Sequence, residues 1–406
     1  MKGKTIISLL LIFSSCISNT DNQEEIISKM RAEVTYLSSD KLEGRETGTE
    51  GERLAAEFIA SKFTEYNLIP KGTEDYYQYF DATIKENPHS NTVKREIRGI
   101  NVVGYIDNKA EQSIIIGAHY DHLGFGEFGS LYDGEKEIHN GADDNASGVS
   151  ILINLANELS SIKEYNYLFI AFSGEEHGLF GSSYYAKNPT IDLASVRFMI
   201  NFDMVGRLND EKTLAINGVG TSQDWTELIT QANTYELNLK TSESGIGPSD
   251  QTSFYLQDIP VLHFFTGQHA DYHKPSDDVE KINFSGMYTL LNYVKDIIDA
   301  STSITEFNFQ ETASDSTTAP RFTVTLGVMP DYLFDGKGMR IDGVSKNKTA
   351  DKYGVLKGDI VIKLGDVQVN DMMAYMKALG QFNKGDATVV RVLREDTEVD
   401  IDIVFQ

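Results

Sequence analysis

Four short runs in the first three hundred residues leave little freedom in the fold. Y-L-F-I-A-F (167–172) is apolar throughout. S-I-I-I-G-A-H (113–119), R-F-M-I-N-F-D-M (197–204) and P-V-L-H-F-F (260–265) are largely apolar, with isolated polar residues. A strand without polar alternation has both faces covered, which is the signature of a parallel sheet between layers of helix. I-N-V-V-G-Y-I (100–106) adds another β-like run. Helical spacing lies between and around the strands, at 146–163, 222–237 and 279–301. The predicted class is therefore α/β, with a mostly parallel central sheet and helices on both faces. Ahead of it, residues 26–66 keep helical spacing through Ile26, Ile27, Met30, Val34 and Leu37, and again through Leu54, Ala55, Phe58, Ile59 and Phe63. A polar, Gly-rich loop, S-S-D-K-L-E-G-R-E-T-G-T-E-G, separates the two stretches.

The ends of the chain read differently. Residues 1–16 place two lysines before a short apolar run and then small residues, the layout of a signal peptide, and Ile6–Phe13 is too short to span a bilayer. Cys16 stands where that run ends and resembles the lipidated cysteine of a bacterial lipobox, so export and lipid anchoring in a bacterial cell envelope are expected. Residues 17–25 read as a polar tether and 26–305 as the main domain. The segment 306–320 reads as a linker, ending in T-A-S-D-S-T-T-A-P. Short β runs at 322–328, 339–344, 359–364, 388–394 and 399–405, with a helix near 371–380, make 321–406 a separate small domain. Cys16 is the sole cysteine, which excludes an intrachain disulfide or a multi-Cys metal site. With 36 Lys and Arg against 61 Asp and Glu, the formal charge is −25, which argues against nucleic acid and against electrostatic docking on anionic lipid.

Chemistry concentrates in five motifs. They are G-A-H-Y-D-H (117–122), N-G-A-D-D-N-A-S-G (140–148), F-S-G-E-E-H-G (172–178), N-F-D-M-V-G-R (201–207) and D-Y-H-K-P-S-D-D (271–278). The first, third and fourth end apolar strands, the edge at which open α/β sheets build sites. Histidines and carboxylates without thiolates suit Zn²⁺ or a similar ion. Two ions a few ångströms apart need a bridging carboxylate, with a His and an acid on each side. A further unligated acid must take the proton from water. The adjacent pair Glu175-Glu176 can divide ligand and base between them. A lone His or a lone acid pair is ordinarily structural, and His122, His139, His177, His263 and His269 read as structural or peripheral. Five motifs at successive strand ends are a different matter, because burying so many acids without cations is prohibitive.

In their order and content, these motifs resemble the di-zinc aminopeptidases of metallopeptidase family 28, over residues of about 30–300. The resemblance implies a zinc exopeptidase fold and two Zn²⁺. His119 and Asp203 correspond to the ligands of one ion, Glu176 and His273 to those of the other, and Asp143 to the bridge. Glu175 corresponds to the general base. Asp121 corresponds to the acid that orients His119, and Asp144 to the residue after the bridge. Peptides are the implied substrates, cleaved at the N-terminus. A carboxypeptidase or dipeptidase on the same scaffold is the alternative within enzymes. A binding protein on an inactive scaffold is the alternative outside them. L-E-G-R-E-T-G-T-E-G (42–51) matches the entry to this family without an evident role, and G-P-S-D-Q-T-S-F (247–254) a loop near its specificity pocket. The C-terminal domain resembles a PDZ domain, through T-L-G-V-M (325–329) and Y-G-V-L-K-G-D-I-V (353–361). That resemblance implies capture of a peptide C-terminus by the loop holding Leu326, Gly327 and Val328.

Overall fold

The computed structural model describes residues 6–85, 94–312, 324–331, 334, 336–344, 348–370, 372–395 and 397–405. The chain opens on helix α1 (Ile6–Leu37), followed by α2 (Glu50–Glu65). One sheet then takes β1 (Ile69–Pro70), β2 (Tyr77–Lys85), β3 (Lys94–Ile106), β4 (Ser113–His119), β5 (Asn166–Phe172), β6 (Val196–Phe202), β7 (Thr213–Asn217), β8 (Asn238–Ser242) and β9 (Val261–Phe265). Between and after these strands come α3 (Gly148–Glu158), α4 (Phe180–Lys187), α5 (Trp225–Ala232), α6 (Gln251–Tyr255) and α7 (Phe284–Ser301). Strand order is β1-β3-β5-β4-β6-β9-β7-β8, with β2 beside β3. The four central strands β5, β4, β6 and β9 are mutually parallel, whereas β3 and β7 join them antiparallel. The sheet is thus mixed, with the expected parallel order at its centre.

Alternation along the central strands supplies two cores. In β4, Ile114 and Ile116 face a layer built with Met30 and Val34 of α1, Leu155 of α3 and Ile297 of α7. Ile115 faces the other way, with Leu168, Met199 and Phe254. Each such buried side chain contributes roughly 1.5–3 kcal/mol, so both faces must be covered for the strands to hold.

Two segments differ from expectation. Residues 17–25, expected as a polar tether, continue helix α1, since no Pro or Gly interrupts the helix there. The start of the supposed linker is also fastened down. Phe307 packs on Trp225 and Phe198, with centroids 4.7 and 5.2 Å apart, and Thr312 N–H donates to the Tyr255 hydroxyl at 3.0 Å. The aromatic residues at 307 and 309 give this stretch apolar surface that a solvated linker lacks. Residues 313–320 and 1–5 lie outside the described residues, as does the start of the 322–328 run.

The C-terminal part forms a second, antiparallel sheet from β10 (Val328–Pro330), β11 (Met339–Val344), β12 (Ile360–Leu364), β13 (Val367–Gln368), β14 (Ala387–Arg394) and β15 (Thr397–Val404). Helices α8 (Thr349–Tyr353) and α9 (Met372–Leu379) accompany it. Its separate core includes Leu326, Ile341, Val361, Val390 and Ile403. The Gly-Asp-Ile-Val marker has a physical basis: buried Asp359 receives a two-pronged hydrogen bond from Arg394, both at 2.7 Å.

Helix α1 carries one buried acid into the main core. Glu33 Oε2 accepts from Ser150 Oγ and Asn154 Nδ2, both at 2.7 Å, while burial pushes its carboxyl from 4.5 up to about 7. The folded state therefore binds more protons than the unfolded state between those values, and this group costs stability as pH rises through that window. Glu33→Gln is neutral at every pH. Relative to wild type, it should gain roughly 2–3 kcal/mol in unfolding free energy between pH 5 and pH 8, measured by denaturant titration at both. An equal difference at the two pH values would refute the assignment.

Candidate active site

The four central strands stop at one edge, and titratable side chains stand at or just beyond their ends. His119 closes β4, Glu175 and Glu176 follow β5, Asp203 follows β6, and His273 lies in the loop after β9. Asp143 and Asp144 sit in the irregular turn Ala142–Ser147 that leads into α3. Asn145 ties this turn to the end of β6. Its Nδ2 donates to Phe202 O at 2.9 Å, and its Oδ1 accepts from Met204 N–H at 3.1 Å.

Asp144 is central to the geometry. Its Oδ1 lies 3.4 Å from His119 Nε2 and its Oδ2 lies 3.3 Å from His273 Nε2. Asp203 Oδ1 is 3.4 Å from the same nitrogen of His119. Glu176 Oε2 is 3.2 Å from the same nitrogen of His273. Two groups of ligand atoms thus share one carboxylate. The spacing fits a metal. Ligands about 2.0–2.1 Å from a tetrahedral zinc lie about 3.3–3.4 Å from one another. Orientation fits as well, because His273 Nδ1 donates to Gly129 O at 2.9 Å, which leaves Nε2 facing the carboxylates.

The sequence assigned the bridging place to Asp143, but the carboxylate that faces both histidines is that of Asp144. Asp143 turns away, with Oδ1 accepting from Gly206 N–H at 2.6 Å and Oδ2 3.0 Å from His269 Nε2. Backbone N–H groups of both aspartates donate to Asp277 Oδ2, at 2.9 and 3.1 Å, and Asp277 Oδ1 accepts from Arg207 at 3.2 Å. Asp121 is only loosely a partner of His119. Its Oδ1 is 3.7 Å from His119 Nδ1, and its backbone carbonyl is closer, at 3.3 Å. The Asp121 carboxylate accepts from Glu175 N–H at 3.1 Å and from Thr47 Oγ1 at 3.0 Å, so it also fixes the Glu175 backbone.

Three histidines read as peripheral are closer than that. His122 Nδ1 lies 2.8 Å from Glu176 Oε1 and 3.9 Å from Asp144 Oδ2, and its buried Nε2 has no hydrogen-bond partner among the described residues. His269 holds Asp143, as above. His263 lines the cleft, and burial pushes it down to about 4, so it is neutral. His139 meets Ser130 and His177 packs against Phe128, outside the cluster. A His repeated within G-A-H-Y-D-H is the one signal that marked His122. Asp277 and His269 carried none beyond proximity to His273 in sequence.

Electrostatics in the cleft are dominated by burial. Burial lifts the Glu175 carboxyl well above the usual carboxylate range, and Asp203, Glu176 and Asp250 add to it against His119. Burial also pushes Asp250 up to about 7. Glu176 is pushed up by burial too, but His273 and His122 outweigh that and hold it well below the usual range. Met204, Pro248, Phe265 and Tyr272 form the apolar wall of the cleft.

Residues 101–298 match peptidase family M28, and residues 314–404 match the PDZ domain. Aminopeptidase YwaD of Bacillus subtilis is 29% identical over 217 residues, 51% of this chain and 44% of that protein. The alkaline phosphatase isozyme conversion protein of Escherichia coli is 31% identical over 170 residues, 39% of this chain and 46% of that protein. The chain thus spans less than half the length of either relative. Among solved structures, an aminopeptidase from Aneurinibacillus sp. strain AM-1 superposes with a TM-score of 0.51 at 19% identity, covering 70% of this chain and 95% of that one. A glutaminyl cyclase from Bacteroides thetaiotaomicron gives 0.54 at 17%, covering 67% and 97%. The fold is shared across both chemistries, so the choice between them rests on side chains.

Asp144→Asn and Asp143→Asn separate the two adjacent acids. Asp144→Asn should lose most bound zinc, measured by elemental analysis after dialysis. Asp143→Asn should keep it, with lower thermal stability. The opposite pattern would restore Asp143 as the bridge.

Proposed function

We propose that this chain, whose residues 101–298 match peptidase family M28 and whose residues 314–404 match the PDZ domain, is a zinc-dependent aminopeptidase using two ions. The reading rests on one observation above others: the two oxygens of Asp144 face two different histidines at the spacing of metal ligands. His119, Asp203 and Asp144 would hold one ion, and Glu176, His273 and Asp144 the other, with His122 beside the second.

Bound zinc supplies Lewis acidity at the scissile carbonyl and acidifies the attacking water. The protein's own part is to place a base and to receive the substrate's end. Glu175 lines the cleft, and its backbone is held by Asp121. It takes the proton of the attacking water and returns it to the leaving amine. A carboxyl lifted by burial is suited to hold a proton at neutral pH. Among the described residues lining the cleft there is no Lys or Arg. A substrate carboxylate would find no cationic side chain there, whereas a free N-terminal ammonium lies beside carboxylates. This favours an aminopeptidase over a carboxypeptidase. The apolar wall favours an apolar N-terminal side chain.

Two further readings come from the sequence. Export and lipid anchoring at Cys16 are supported by residues 1–16. Binding of a C-terminal peptide at Leu326, Gly327 and Val328 is supported by the PDZ match. It is also supported by the place of β10 at the end of its sheet, where a further strand can add.

A panel of aminoacyl-p-nitroanilides and N-blocked peptides tests the main reading, with zinc, with chelator, and as Glu175→Ala. Free-amine substrates alone should be cleaved, with apolar residues preferred and activity abolished by chelator. Glu175→Ala should lower kcat by roughly 10²–10⁴-fold while zinc stays bound. Cleavage of N-blocked peptides alone would support the carboxypeptidase. A protein that binds no zinc and turns over nothing would support the binding-protein alternative.

A further inference from the structure

The loop 42–51, which sequence marks without a role, drives a charged side chain into the interior beneath the cleft. Glu43, Gly44 and Arg45 take successive left-handed conformations, with φ of 48°, 70° and 50°. A side chain at Gly44 would meet Gly124 O at 2.5 Å and His139 O at 2.6 Å, so the turn lies directly against the backbone at 124 and 139. Arg45 is left only 1% exposed. Burial pushes its guanidinium down to about 10, so it remains a cation at neutral pH.

That guanidinium contacts four backbone carbonyls. Nε donates to Tyr120 O at 2.8 Å, one terminal nitrogen donates to Leu37 O and to Asn140 O (2.6 Å), and the other to Gly141 O at 3.0 Å. Tyr120 lies between His119 and Asp121. Asn140 and Gly141 lead into Asp143 and Asp144. Leu37 ends α1, where carbonyls lack helical partners. One rigid, planar fork therefore spans the segment that carries His119 and the segment that carries Asp144, whose ligand atoms face each other at 3.4 Å. Arg45 touches neither side chain. The carboxylates of Asp144, Asp121, Asp277 and Glu176 add attraction to its charge.

We propose that Arg45 is a positioning residue of the metal centre: its guanidinium fixes the backbone at 120 against that at 140–141 and thereby sets the separation of His119 from Asp144. This rests on the metal-centre reading above. Lysine keeps the charge but offers one donor centre, which cannot reach carbonyls on three segments together.

Arg197 provides a matched control. It too is buried and donates to backbone carbonyls, those of Ile304 and Ser301, but it stands at the far end of β6 from Asp203. The experiment compares Arg45→Lys with Arg197→Lys in the full chain loaded with Co²⁺, recording visible absorption, thermal midpoint, kcat and KM. Arg45→Lys should alter the cobalt spectrum and lower kcat by roughly 10–100-fold with KM little changed. Arg197→Lys should lower the midpoint and leave spectrum and kcat alone. If Arg45→Lys does not fold, Arg45→Gln, with its planar amide, is read in the same way. A wild-type spectrum and kcat in a folded Arg45 variant would reduce Arg45 to a structural residue and overturn the proposal. Failure of the unaltered protein to bind cobalt would instead remove the metal centre, and the role of Arg45 with it.

Discussion

The structure is organised around carboxylates held away from water at one edge of a sheet. Asp121, Asp143 and Asp144 are almost wholly buried, and Asp277 is too. Isolated charges in such a place would cost several kcal/mol each. Each has partners: backbone N–H groups of Glu175, Gly206, Asp143 and Asp144, the imidazole of His269 and the guanidinium of Arg207 hydrogen-bond to them, His119 and His273 stand 3.4 and 3.3 Å from Asp144, and the charge of Arg45 adds attraction without touching them. The loops that supply these donors are irregular because their backbone groups face the acids rather than one another. Sheet and helices can remain regular because the irregularity is confined to this edge.

The sheet was legible because its strands are apolar on both faces, and only a covered sheet tolerates that. The site was legible as a set for a related reason: polar residues that interrupt such strands must be answered by something. Choice within the set was less so. Asp143 and Asp144 are chemically identical neighbours, and which one faces the histidines depends on the turn Ala142–Ser147, on Asn145 and on Asp277 far along the chain. Arg45 and His122 were missed for the same reason. A single Arg in a polar loop carries no periodicity, and its four carbonyl partners are scattered from 37 to 141. Residues 17–25 and 306–312 were read from polarity alone. The first extends a helix, and the second is held by Phe307 and Phe309, whose partners Trp225 and Tyr255 lie well upstream.

The main domain, which holds the cleft, and the C-terminal domain solve the edge problem differently. In the large sheet, antiparallel β3 and β7 flank the parallel centre, so the strands that bear the site have neighbours on both sides. In the small sheet, β10 stands at the end of the order. An unpaired edge is ordinarily a liability that proteins shield, and in a peptide-binding module it is the place where an extended partner pairs.

One consequence follows from where the ligands sit along the chain. His119, Asp144, Glu176, Asp203 and His273 come from successive strands and loops, and no two neighbours in sequence complete either group. Such distant contacts form late, after the closure of long loops. In a half-made chain the acids are solvated and apart, and the cluster does not yet exist. Synthesis of the protein therefore carries its own delay: whatever chemistry the cluster performs arrives with the finished sheet.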